Sequence, residues 1–121
     1  VSLYTEVSDL RDYELGIRQW DLVVSVFVHL PPELRSDVHR RIVRSLAPGG
    51  YVILEAFNPR QLRYRTGGPG DVRMLMTADI LRADFAGLTV LQLVEVDRKV
   101  DEGGHHSGTA AVVELLARND G

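Results

Sequence analysis

The stretch WDLVVSVFVHLPPELRSDVHRRIVRSLAPGGYVILEAF, residues 20–57, changes its hydrophobic period twice and thereby indicates the fold. Asp21–Val28 and Tyr51–Phe57 are nearly continuous apolar runs, as in strands buried on both faces of a parallel sheet. Between them, apolar side chains recur at helical spacing on one stripe, and these are Leu34, Val38, Ile42, Val43 and Leu46. Strand, helix and strand in succession predict a βαβ unit with a right-handed crossover and a parallel strand pair.

The segments on either side of this unit predict further elements of the same sheet. Val1–Val7 alternates at roughly period two and predicts a strand with one face covered. A helix is predicted over about Ala78–Phe85. Two strands follow, Thr89–Val100 and about Thr109–Arg118, and the Gly-rich link between them predicts an antiparallel hairpin. We therefore expect a single α/β domain over residues 1–121, with a mostly parallel, Rossmann-like sheet.

Composition argues against several classes of function. The net charge is −3, so neither nucleic acid nor an anionic membrane is the expected partner. The helix of residues 31–50 nevertheless has a basic face, which we interpret as solvated, and its members are Arg35, His39, Arg40, Arg41 and Arg44. No apolar run is long enough to span a bilayer, and the absence of cysteine excludes disulfides and thiolate chemistry. These features fit a cytoplasmic protein whose substrate is a small molecule.

Candidate site residues follow from the sheet topology. Ligands of open α/β sheets bind outside the carboxyl ends of the parallel strands. The candidates that come directly after those ends, or in the loops beyond them, are Asp9, Leu10, Phe27, His29, Tyr64, His105 and His106. Three of the four histidines are therefore expected at one edge of the sheet.

Each of these candidates also has a purely structural interpretation. His29 could be a capping residue satisfied by the backbone, and Asp9 an ordinary turn-former. The pair His105-His106 could belong to an exposed loop, and the TGGPG segment of residues 66–70 could be a flexible connection. A metal site is disfavoured, because only an inferred topology brings the three histidines together. A serine hydrolase is disfavoured because no G-x-S-x-G motif is present.

Several stretches resemble the carboxyl-terminal two-thirds of class I S-adenosylmethionine-dependent methyltransferases. They are WDLVVSVFVHLPP, HRRIVRSLAPGGYVILEAF, TGGPGDVRMLMTADILRADFAGL and EVDRKVDEGGHHSGTAAVVELLAR. The L-x-P-G-G-Y-hydrophobic-E element marks a helix-to-strand turn common across that superfamily. The last two stretches are similar to its small bacterial, tellurite-resistance-like branch. The resemblance covers essentially all 121 residues.

The resemblance implies a fold and a cofactor. The family sheet has seven strands in the order 3-2-1-4-5-7-6 with the last strand antiparallel, and this chain would supply strands three to seven. The cofactor would be S-adenosylmethionine. Asp9 and Leu10 match the residues that hold the adenine, and His29 would face the methyl group or the substrate. The residues that match those lining the methionine arm are Ser25, Val26 and Phe27.

The implied reaction is methyl transfer to a small-molecule acceptor by in-line displacement. Positioning and desolvation supply most of the acceleration in such a reaction. A general base is needed only when the acceptor is protonated, and His29 or His106 would serve near neutral pH. The candidate substrate-binding residues are His29, Tyr64, His105 and His106.

The sequence departs from the family in its first half. The glycine-rich loop and the acidic residue that holds the ribose hydroxyls are absent, since no G-x-G-x-G occurs anywhere. We therefore expect a fragment of a longer methyltransferase, or a homodimer or strand-swapped assembly that completes the sheet, with weak or no cofactor binding by the chain alone. One alternative is a non-catalytic α/β module that binds a ligand or partner. A nicotinamide-dependent oxidoreductase is disfavoured because it needs the same glycine loop.

Overall fold

The computed structural model describes residues 1–64, 67–101 and 107–121. Within these ranges one sheet contains four strands, which are β1 (Trp20–Val26), β2 (Leu46–Phe57), β3 (Thr89–Asp101) and β4 (Ser107–Arg118). Their spatial order is β1-β2-β4-β3. β1 is parallel to β2, whereas β4 is antiparallel to both β2 and β3. β1, β2 and β3 therefore run in one direction and β4 runs in the opposite one. This confirms the predicted mostly parallel sheet with an antiparallel final strand.

Two α-helices connect these strands, α1 (Pro32–Ser45) and α2 (Ala78–Asp84). Proline is tolerated at the start of α1 because the first helical amides have no partner within the helix. The hydroxyl of Thr77 accepts a hydrogen bond from the amide of Ile80 and caps α2. The long connection before α2 contains two short 3₁₀ helices, Pro59–Arg63 and Val72–Met74. No helix in the described part of the chain combines the length and apolar character needed to cross a bilayer.

Both α-helices pack on the same face of the sheet, which we call the covered face. Successive strand residues point to opposite faces, so the even-numbered residues of β2 meet the helices. Their core partners come from α1, α2 and β4. The central members of this core are Val38, Ile42, Val52, Leu54, Leu81, Phe85, Val113 and Leu115. The stripe predicted for the first helix is thus the surface that anchors it to the sheet.

The opposite face of the sheet, which we call the open face, has no α-helix packed on it within the described ranges; only at the carboxyl end of β2 is it covered, where Phe57, Ala110 and Val112 are buried against Leu75. Leu22, Val24 and Val26 of β1 are 50%, 55% and 47% exposed, and Ile53 of β2 is 42% exposed. Their cross-strand neighbours on this face include Leu116 of β4. The prediction that the first strand of the βαβ unit is buried on both faces is therefore wrong for this chain. The residues have the right character, but only one layer of helices packs on the sheet.

The N-terminal segment does not form the strand predicted for Val1–Val7. Residues 1–9 have no regular secondary structure, and Leu3 and Val7 are almost fully exposed. A strand needs a neighbour to satisfy its backbone amides and carbonyls. The outer edge of β1 has no pairing strand in the described part of the chain, so the sheet ends there.

The basic face predicted for α1 is only partly solvated, because His39 is 2% exposed. Its Nδ1 lies 2.8 Å from Oδ2 of Asp84 at the end of α2, and its ring lies 4.6 Å from that of Phe85. Arg35 reaches the same carboxylate at 3.2 Å. Burial acts to raise the pKa of Asp84, but His39 and Arg35 outweigh it and lower that pKa. This ion cluster holds α1 against α2.

Candidate functional site

Three stacked rings occupy the carboxyl ends of β1 and β2. The ring centroids of Phe27 and Phe57 are 4.5 Å apart, and those of His29 and Phe57 are 5.4 Å apart, with interplanar angles of 16° and 15°. Phe57 is 1% exposed, so the stack is anchored in the interior. The stack places two of the predicted site residues, Phe27 and His29, next to each other.

Phe27 has a backbone conformation that a bulky side chain rarely adopts. Its φ is +53°, in the left-handed region. Such a conformation costs on the order of 1–3 kcal/mol and persists only where the surroundings hold it. Its amide donates to the carbonyl of Glu55 at 2.8 Å, and its ring rests on Phe57. Strain of this kind clusters at ligand sites, which makes this position a candidate for one.

His29 is held by the backbone of the neighbouring strand. Its Nε2 accepts a hydrogen bond from the amide of Phe57 at 3.0 Å. The backbone interpretation considered for this histidine is therefore present in the structure. Its role toward a substrate stays a prediction.

Ser25 and Val26 are successive residues at the end of β1, so their side chains point to opposite faces. Val26 faces a shallow cavity of about 340 Å³ on the open face. Other residues lining this cavity are Ile53, Glu55, Gln92, Glu114 and Leu116. Ser25 is half-buried on the covered face. Of these two predicted cofactor residues, only Val26 lines a described cavity.

A carboxyl pair with an arginine lies at one side of that cavity. Glu55 and Glu114 are directly opposite each other on β2 and β4. Arg98 of β3 donates to both carboxylate oxygens of Glu55, at 2.6 and 2.8 Å. Burial acts to raise the pKa of Glu55, but the bonds from Arg98 and Glu114 lower it; the hydrogen bond with Glu55 raises the pKa of Glu114. When the pair of carboxyl groups binds a single proton, that proton is therefore favoured on Glu114.

Asp9 and Leu10 form a turn that lies against α1. The carboxylate of Asp9 accepts from the amide of Arg11 at 2.9 Å, and its carbonyl accepts from the amides of Asp12 and Tyr13 at 3.0 Å. Asp9 thus acts as the turn-former that the sequence allowed. Its side chain is 52% exposed, and its proposed contact with adenine stays a prediction.

Arg41 fixes this turn, although its sequence position indicated only a solvated helix face. Its guanidinium donates to the carbonyls of Leu10 and Tyr13 at 2.5 Å and pairs with Asp37 at 3.0 Å. Its side chain is 14% exposed. A cavity of about 400 Å³ lies between the turn and α1, lined in part by Arg41 and Leu15. No sequence signal separates Arg41 from the other arginines of the helix.

Tyr64 is directed away from the ring stack. Its hydroxyl donates to Asp97 of β3 at 2.6 Å, and Arg60 pairs with the same carboxylate at 3.0 Å. β3 lies two strands beyond β2, which corresponds to about 10 Å in a sheet. The hydrogen bond to Asp97 raises the pKa of Tyr64. The structure thus places Tyr64 apart from His29, and its substrate role stays a prediction.

His105 and His106, together with Thr66, lie outside the described residues. Within the described ranges, no group of three or more His, Cys, Asp and Glu side chains could hold a metal ion. The predicted roles of these two histidines therefore stay predictions.

Solved structures share this arrangement of strands and helices. A methyltransferase from Methanosarcina mazei, described as S-adenosylmethionine-dependent, is 14% identical with a TM-score of 0.70, over 94% of this chain and 66% of that one. The N-methyltransferase NodS from Bradyrhizobium japonicum, in complex with S-adenosyl-L-homocysteine, is 16% identical with a TM-score of 0.62, over 94% and 53%. The [4+2]-cyclase SpnF is 15% identical with a TM-score of 0.65, over 94% and 56%.

These likenesses establish the fold, which the chain shares with structures described as methyltransferases and with a cyclase. The spatial order β1-β2-β4-β3 matches the order 4-5-7-6 that the sequence resemblance implies. The chain spans between about half and two thirds of the length of these three similar proteins. No protein-family model and no curated protein sequence matches the chain. A cyclase among the similar structures shows that the fold alone does not fix the reaction.

Proposed function

We propose that this chain is the carboxyl-terminal part of a methyltransferase that moves the methyl group of S-adenosylmethionine to a small-molecule acceptor. The observation that carries the proposal is the sheet order with its antiparallel final strand, shared with structures described as methyltransferases. The acidic net charge supports a small acceptor rather than a nucleic acid. The tellurite-resistance-like branch and a cytoplasmic location are part of the proposal.

The cofactor would lie along the carboxyl ends of the parallel strands. In this proposal the Asp9 carboxylate accepts from the adenine amine, with Leu10 beside the ring. Ser25, Val26 and Phe27 line the methionine arm, where apolar walls suit its methylene groups. The turn held by Arg41 and the ring stack beneath Phe27 support this arrangement, because each predicted contact sits on a fixed backbone.

The remaining wall of the site would come from a further polypeptide. The open face and the unpaired edge of β1 support this part of the proposal. The additional part would be an N-terminal segment of a longer chain, or a second copy in a homodimer or strand-swapped pair. A strand on that edge would satisfy the backbone of β1, and helices on the open face would cover its apolar side chains.

The proposal is tested by isothermal titration with S-adenosylmethionine. The chain alone is expected to bind weakly or not at all, and co-expression with the segment encoded immediately upstream is expected to give micromolar binding. That segment should encode a strand followed by G-x-G-x-G. In the complex, Asp9→Ala should weaken binding about tenfold or more, as loss of a hydrogen bond to a charged group predicts.

Asp12→Ala, in the same turn, is the matched control and should bind as the unmodified chain does. Micromolar binding by the 121-residue chain as a monomer would contradict the requirement for a further wall. An absence of binding in the co-expressed complex would contradict the proposed function.

A non-catalytic module that binds a ligand or partner is the second candidate, and the exposed apolar residues of the open face favour it. It predicts that the complex associates stably yet gives no heat with the cofactor. A titration with NADH addresses the oxidoreductase alternative in the same experiment.

A further inference from the structure

Phe57 is immobilised by contacts on two sides. Its amide donates to His29 Nε2 at 3.0 Å, and its carbonyl accepts from the amide of Met76 at 2.9 Å. The backbone of Gly68 lies directly against its ring, since a Cβ on Gly68 would be 2.6 Å from the ring atom Cδ2. Phe57 is therefore fixed by His29, in the segment that follows β1, and by the loop before α2 through Gly68.

The immobilised ring in turn supports the strained residue. Phe27 stacks on Phe57 at 4.5 Å, and its φ of +53° needs support from its surroundings. If Phe57 shifts, Phe27 loses the surface on which its ring rests. A chain of contacts thus runs from His29 to Phe57 and on to Phe27.

The hydrogen bond also restricts the chemistry of His29. A neutral imidazole has one protonated nitrogen and one acceptor, and accepting from an amide requires Nε2 to be the acceptor. The proton of the neutral ring is then on Nδ1, so neither nitrogen offers a lone pair to a substrate. Protonating Nε2 would bring two N–H groups face to face.

We propose that His29 is a positioning residue rather than a general base. It holds the amide of Phe57, which keeps Phe27 in its strained conformation at the carboxyl end of β1. The identity of the ligand next to Phe27, which would be the cofactor or the acceptor, rests on the proposed function. The positioning role of His29 does not, because it depends only on contacts within this chain.

Two substitutions of His29 test its hydrogen-bond acceptor and its stacked ring separately. His29→Gln places an amide oxygen near the position of Nε2 and cannot act as a base, whereas His29→Phe keeps a stacked ring and has no acceptor. In NMR experiments on the chain alone, His29→Phe should remove the hydrogen-exchange protection of the Phe57 amide and shift the Phe27 resonances, and His29→Gln should restore the protection of that amide. In the cofactor-binding complex, His29→Gln should likewise restore the affinity for S-adenosylmethionine that His29→Phe lowers.

A substitution at Gly68 tests the same chain of contacts from the other side of the Phe57 ring. Gly68→Ala should move the Phe57 ring and shift the Phe27 resonances as His29→Phe does, because its φ is +85° and its Cβ would collide with the ring. Gly70→Ala is the matched control in the same loop, since nothing lies within 4 Å of the added atom.

The tautomer of His29 in the unmodified chain decides the proposal directly. Two-bond ¹H–¹⁵N spectra should show a proton on Nδ1 and a hydrogen-bonded, unprotonated Nε2. A proton on Nε2, or unchanged Phe27 resonances in both His29→Phe and Gly68→Ala, would overturn the proposal. These measurements need no cofactor, so a failure of S-adenosylmethionine binding would count against the proposed function only.

Discussion

The two faces of β2 have similar residues and opposite surroundings. Val52 and Leu54 are 0% and 1% exposed beneath α1 and α2, whereas Ile53 between them is 42% exposed. All three are apolar, and the whole segment predicts a strand buried on both sides. The difference shows that sequence sets the capacity of a strand to be buried. The elements available to pack on each face decide whether that capacity is used.

The largest expected effect comes from emptying the covered face. Phe85→Ala removes a ring that is 0% exposed, and should lower the free energy of unfolding by about 3–5 kcal/mol. Ile53→Ala on the open face is the comparison variant and should cost less than about 1 kcal/mol, because much of the side chain already contacts water. Urea denaturation of both variants measures the difference. A comparable loss for Ile53→Ala would show that the open face is covered in solution.

The ion cluster between the helices is the next largest contribution to the covered face. Asp84→Asn should lower the free energy of unfolding by about 3 kcal/mol, because it leaves the buried guanidinium of Arg35 without its counter-charge and weakens the hydrogen bond to His39. Asp79→Asn at the start of α2 is the control, since Asp79 is 95% exposed. Loss of its charge should change the midpoint of the denaturation curve little. Chemical denaturation at pH 7 provides the comparison.

The same cluster has a pH signature with a defined sign. Burial acts to raise the pKa of Asp84, but its partners lower it overall. Its contribution to stability is therefore complete above the ordinary aspartate pKa of about 3.9 and is lost as the pH falls through the lower folded value. The difference in free energy of unfolding between the unmodified chain and Asp84→Asn should therefore become smaller in that acidic range. A gap that stays constant there would assign the loss to packing instead of charge.

The smallest expected effect has the opposite sign and belongs to the open face. Glu114→Gln should raise stability at pH 7 by about 0.5–1 kcal/mol, because it removes a like charge directly opposite Glu55. The pKa of Glu114 is raised by Glu55, so the folded state holds this proton more tightly than the unfolded state does. Stability is therefore lost as the pH rises through the raised folded value, and the gain in the variant should vanish near pH 4. Thermal melts at the two pH values check this, and destabilisation at pH 7 would contradict it.

The elements that sequence predicted correctly depend on local patterns. The change from apolar runs to helical spacing located β1, α1 and β2, and the Gly-rich link located the hairpin of β3 and β4. The strand predicted for Val1–Val7 is wrong because a strand depends on a neighbour that the local sequence cannot supply. Periodicity described the segment, but pairing decides its structure.

The candidate site was predictable only in part, for a similar reason. Phe27 and His29 follow a strand, and a topological rule places both at its carboxyl end. The role of Arg41 depends on two carbonyls about 30 residues away in the chain, and the burial of His39 depends on Asp84 of another helix. Such contacts arise from tertiary packing, and the helical pattern gave all these basic residues the same environment.

The edge of β1, which has no pairing strand in the described part of the chain, also exposes the isolated chain to association at high concentration. Natural sheets block exposed edges with lysine, proline or a bulge. The register of β1 against β2 shifts between Trp20 and Leu22, but residues 22–26 pair regularly and form an uncharged run beside the single carboxylate of Asp21. An edge of this kind is a template on which another chain can add a strand by backbone hydrogen bonds. The strand best suited to complete a sheet is thus also the strand most exposed to aggregation until its partner is in place.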